Sequence, residues 1–78
     1  MVHTSTAARL AAVIADALKE SRISDRQAAE DTAIPRTTLT RKLRNGDFTV
    51  REIEALADLL GTTATALVAL AEDEQVPA

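Results

Sequence analysis

Apolar side chains in this chain recur at intervals of three and four, the spacing that lines one face of a helix, and so predict an all-α fold with no sheet. Leu10, Ile14, Ala17 and Leu18 stand at i, i+4, i+7 and i+8, forming the buried stripe of a first helix from near Ser5 or Thr6 to about Ser21. Ser24 followed three residues later by Gln27 has the capping-box form, the hydroxyl accepting from the Gln27 N–H while the amide side chain reaches back. A short second helix over about 25–32 follows, with Ala28 and Ala29 inward. Residues 33–35 read as a turn, because Pro35 disfavours helix in the residue before it and itself suits a helix start.

A third helix over about 36–44 has only two large apolar residues, Leu39 and Leu43, four apart. One narrow stripe is buried and the rest faces outward, until Asn45 and Gly46 supply the left-handed geometry that ends a helix. Thr49 with Glu52 is a second capping box; it opens a fourth helix whose inner face is Ile53, Leu56, Ala57 and Leu60, and which stops at Gly61. A fifth helix runs from about Thr63, with Leu67, Leu70 and Ala71 inward. Val68 lies off that stripe, either in an exposed apolar patch or covering the first helix.

A five-helix bundle over residues 1–73, followed by a frayed polar tail at 74–78, uses the whole of the 78 residues and leaves room for one core and no second domain. The apolar content of 46% comes from Ala, Leu, Ile and Val with Phe48 the only aromatic, a composition suited to close helix packing. Without cysteine there are no disulfides, no thiolate catalysis and no cysteine-bound zinc. The uncharged stretches fall short of a membrane span and the N-terminus lacks a leader pattern, so a soluble intracellular protein is expected.

Charge changes the picture because it is segregated. The net charge of −3 divides into zero over residues 1–21, +3 over 22–51 and −6 over 52–78. The middle segment holds Arg22, Arg26, Arg36, Arg41, Lys42, Arg44 and Arg51 against four acids, so the local field around the third helix is positive. Two short helices separated by a three-residue turn, the second exposed and basic, have the geometry of a helix-turn-helix DNA reader. Small residues at 28 and 29 let the first cross close behind the second, and Ile34 with Leu39 fixes their angle. The outer faces of the third helix are then free for a major groove about 12 Å wide.

From Ile23 to Leu70, about two-thirds of the chain, the sequence resembles the Cro and phage-repressor type of helix-turn-helix domain, also called the Xre type. The likeness rests on Ala29 within helix two, Ile34 in the turn, "TTL" in helix three, "NG" after it and "IEALADLLGT" beyond. It implies a lambda-repressor-like five-helix fold and a sequence-specific transcription regulator that occupies an operator in double-stranded DNA. Ala33 stands where the family usually has glycine, and the left-handed geometry costs a non-glycine residue about 1 kcal/mol. Lys42 stands where a large apolar residue often closes helix three, and one extra residue precedes "NG".

Carried over by residue, the resemblance implies base-edge contacts for Arg36, Thr37 and Arg41. An arginine fork on guanine O6 and N7 supplies roughly 1–3 kcal/mol of discrimination. Thr38 and Thr40 fall to phosphate contact or packing; Lys42, Arg44, Asn45 and Arg51 fall to the DNA backbone, together with Arg26 and the amides near Ser24 at the positive end of helix two. Regulation would follow the protein's own concentration, in the cytoplasm of a bacterial cell or phage-infected host, at the nucleoid. A homodimer, at least on DNA, would set two such helices about 34 Å apart.

Competing chemistry is poorly represented. His3 has no second ligand and reads as a disordered terminal residue, the carboxylates of Glu30, Asp31, Glu52 and Glu54 lack an apolar surround, and Ser5, Ser21 and Ser24 are helix-end residues. No catalytic residue, metal, cofactor or small-molecule ligand is expected. Two rivals remain: an antitoxin-type DNA binder whose tail or helix five holds a protein partner, and a helical module whose 36–44 face binds an acidic protein.

Overall fold

Side-chain oxygens of Ser24, Thr49 and Thr63 each accept a hydrogen bond, at 3.1 Å, from the backbone N–H three residues on, and each marks the start of a helix. The structure, a computed structural model, describes residues 6–73. Among them are five helices: α1 (Thr6–Glu20), α2 (Asp25–Thr32), α3 (Arg36–Asn45), α4 (Val50–Leu60) and α5 (Ala64–Asp73). His3, Ser5 and the expected tail at 74–78 lie outside the described residues.

The helices stop as sharply as they start. Arg22, Ala33, Gly46 and Gly61 follow α1 to α4 in turn, all with positive φ, from 59° to 79°. After α1 the Ile23 N–H returns to the Leu18 carbonyl and the Arg22 N–H to that of Lys19; after α4 the Thr62 N–H returns to Ala57 in the same way. Two of the four left-handed positions are therefore held by residues with a Cβ.

Ile14, Leu39 and Leu56 are fully enclosed at the centre of the core, which gathers Leu10, Leu18, Ala28, Ile34, Ile53, Leu67 and Ala71 around them. α1 packs against both α5 and α3, while α2 touches both α3 and α4. The radius of gyration, 12.0 Å, is close to the roughly 11.5 Å of a compact chain of this length. No single described helix is long and apolar enough to cross a membrane.

Three expectations need correction. Leu70 is not inward: it is 54% exposed, because α5 turns Leu67 and Ala71 into the core with Ala64 and Val68 beside them. That also decides Val68, which is half-buried against the core. In α1 it is Ala11, not Ala17, that is buried with Leu10, Ile14 and Leu18. The capping box at α2 is half formed, since Gln27 Nε2 donates to Asp31 Oδ2 at 3.0 Å, one helical turn onward, instead of reaching back.

Candidate nucleic-acid interface

α3 presents its outer face because its apolar content is so narrow. Leu39 is buried and Leu43 packs partly against the core, so at about 100° per residue the opposite side of the helix must carry Thr37, Arg41 and Arg44. Arg36, Thr37, Thr40, Arg41, Arg44 and Asn45 in fact line one open concavity on that side. All are exposed except Thr40, which is half-buried and also lines a cleft toward Leu18 and Lys19 of α1 and Ile23 just beyond it. Thr38 is half-buried and outside the concavity.

Gly46 holds the C-terminal end of this helix against α1. Its N–H donates to the Lys42 carbonyl at 2.7 Å, closing α3 in the left-handed conformation. A Cβ at this position would collide with the Ala7 carbonyl oxygen. Glycine is required at this point both by φ and by the approach of another backbone.

Cations of the site divide by partner. Arg41 Nη1 lies 3.4 Å from Asp47 Oδ2, in an exposed pair. Arg26 pairs with Glu30 across one turn of α2 at 3.8 Å, also in solvent. Among the described residues Arg36, Arg44 and Arg51 have no carboxylate within ion-pair distance. Exposed pairs are weak and readily exchanged for another anion, so Arg26 and Arg41 remain available as cations.

Lys42, expected at the DNA backbone, differs from the other cations in having a half-buried partner. Its ammonium points away from the concavity to the start of α4 and donates to Glu52 Oε1. The same oxygen accepts the Thr49 N–H, so the capping box of α4 is complete and ion-paired at once. The hydrogen bond from Lys42, followed by that from the Thr49 backbone, holds the Glu52 carboxyl below the ordinary carboxylate value.

The remaining expected contacts flank α3. Ser24 is exposed but its hydroxyl oxygen is engaged as the cap of α2. Arg51 is exposed beside the turn, in a second concavity with Ala33, Ile34, Pro35 and Thr49. Asp47 and the Lys42–Glu52 pair are the features that spacing along the chain did not single out. Among the described residues no three His, Cys, Asp or Glu side chains converge as metal ligands would. Compared with known proteins, the chain matches no family model, no curated protein and no solved structure.

Proposed function

We propose that α2, the turn at 33–35 and α3 form a helix-turn-helix of the Cro and phage-repressor type, and that the protein is a sequence-specific regulator binding double-stranded DNA. One observation carries this reading. Three arginines with Thr37, Thr40 and Asn45 share a single open face of a helix whose only inward residues of any size are Leu39, Leu43 and Lys42. Guanidinium groups on a helix face are the donors that match base edges and phosphates in a major groove. The sequence resemblance and the buried Ile34 and Leu39, one in the turn and one in α3, support the same reading.

On this reading Arg36, Thr37 and Arg41 meet base edges. Thr40, Arg44 and Asn45 meet phosphates on the same face, while Arg51, Arg26 and the amides at the start of α2 serve the backbone at its flanks. Occupying an operator would block polymerase by exclusion. A homodimer on a two-fold site is part of the proposal, and Leu70 and Val50, 54% and 70% exposed, are the large apolar side chains that the described residues leave for such a contact.

Titration with random-sequence duplex at several salt concentrations tests the proposal. Log affinity should fall steeply and linearly with log salt, as phosphate neutralisation requires. Selection from a random pool should then return a preferred site, with half-site symmetry if two copies bind. Absence of binding at low salt overturns the proposal in favour of a protein-binding face.

A further inference from the structure

Arg41 differs from its neighbours on the outer face of α3: among the described residues, it alone of the three arginines has a carboxylate beside it. The partner, Asp47, is not on the helix. It follows Gly46, whose backbone is pressed against the Ala7 carbonyl so closely that no side chain fits. Its own N–H donates to Asn45 Oδ1 at 3.3 Å. The carboxylate therefore projects from a backbone held by α1 on one side and by the end of α3 on the other.

The contact engages a single guanidinium nitrogen, Nη1, at 3.4 Å. A guanidinium has five N–H donors, and a guanine edge takes two of them in parallel. Holding one nitrogen leaves the others open while removing part of the rotational freedom of a long side chain, so less is lost when a base is engaged.

We propose that Asp47 is a positioning residue for Arg41, turning its fork toward one guanine edge, so that sequence preference at that base pair depends on a residue that touches no base. The proposal rests on the DNA-binding reading above. Asp47 has a second and opposite effect, because a carboxylate at the rim of the interface repels every phosphate backbone alike. The two effects give a signature that neither a purely structural nor a purely electrostatic role produces. Removing the carboxylate raises affinity for random DNA and lowers discrimination at one position.

The experiment compares the unmodified protein, Asp47→Ala, Arg41→Ala and the double variant on the selected site, on its single base-pair variants and on random duplex, with thermal melts confirming that all four fold. Asp47→Ala should lower preference at one base pair by roughly two- to fivefold, the range open to an exposed ion pair. It should leave the other positions alone and bind random duplex more tightly. In the Arg41→Ala background the same change should not alter preference anywhere. Unchanged preference in Asp47→Ala, or an equal loss with and without Arg41, overturns the role of Asp47 while the DNA reading stands. A protein that binds no DNA at low salt, or binds without preference, overturns the proposal as well.

Discussion

Lys42 Nζ and Glu52 Oε1 lie 2.6 Å apart, with only 12% and 19% of the two side chains exposed, and the oxygen they share also caps α4 through the Thr49 N–H at 2.8 Å. One carboxylate thus joins α3 to the first turn of α4. Glu52→Ala should destabilise the fold by about 2–3 kcal/mol, since it removes a cap and leaves the Lys42 ammonium without its counter-charge. Lys42→Met, which keeps the stem and spares the cap, should cost about 1 kcal/mol. In urea denaturation the double variant Lys42→Met/Glu52→Ala should fall short of the sum; additive losses would mean that the two side chains are not coupled.

Acid should reach this joint late. The Glu52 carboxyl is held below its ordinary value near 4.5 by Lys42 and by the Thr49 backbone. A carboxylate so depressed contributes its full stabilisation above the unfolded value and loses it as pH falls through the folded one. Stability contributed by Glu52 should be flat from neutral pH down to about 5 and decline below about 4.5. Urea midpoints across that range should show a shallower acid decline for Glu52→Gln than for the unmodified protein.

The two glycines should differ sharply when replaced by alanine. Gly61, at φ +73°, has open space where a Cβ would go, so Gly61→Ala carries only the backbone strain of about 1 kcal/mol. At Gly46 the added Cβ meets the Ala7 carbonyl as well, and α1 or α3 must move. Gly46→Ala should cost on the order of 3 kcal/mol. Equal losses in thermal or urea unfolding would contradict the close packing of Gly46 on α1.

Conversely, Arg22 and Ala33 hold left-handed conformations, at φ 59° and 61°, that glycine adopts freely. Ala33→Gly and Arg22→Gly should each stabilise by up to about 1 kcal/mol, the relief of strain exceeding the entropy gained by the unfolded chain. A fall in melting temperature for both would show that the strain is not there.

On the proposed DNA-binding reading, titrations should separate cations that the sequence alone treats alike. Arg44→Ala and Arg51→Ala should each flatten the salt slope by about one unit and weaken all sequences similarly. Lys42→Met should leave the slope unchanged, because its charge is already neutralised by Glu52. A slope flattened equally by Lys42→Met would return that residue to the DNA backbone.

The positions of all five helices were legible along the chain because the signals are local. Ser24, Thr49 and Thr63 cap within three residues, Gly46 and Gly61 stop helices at the residue where they stand, and apolar periodicity assigns Leu10, Ile14, Leu39, Leu56 and Leu67 inward without reference to any other element. The outward set on α3 followed from the same periodicity, which is why Arg36, Thr37, Arg41 and Arg44 fall together as expected.

Where a helix borders two others, local rules gave way. Periodicity puts Leu70 on the inner stripe and Val68 off it, yet the rotation of α5 against α1 and α4 exposes the first and half-buries the second. Lys42 reads as one more cation in a basic helix; its partner, Glu52, sits ten residues away on another helix, and α4 alone brings the two together. Gly46 reads as a helix stop, but the Ala7 carbonyl that excludes any side chain from it lies at the far end of the sequence. Composition and periodicity therefore determined which segments are helical and which α3 residues face out, since those depend on neighbours within a turn. Tertiary packing decided which cations are free, because charge pairing depends on distance in space.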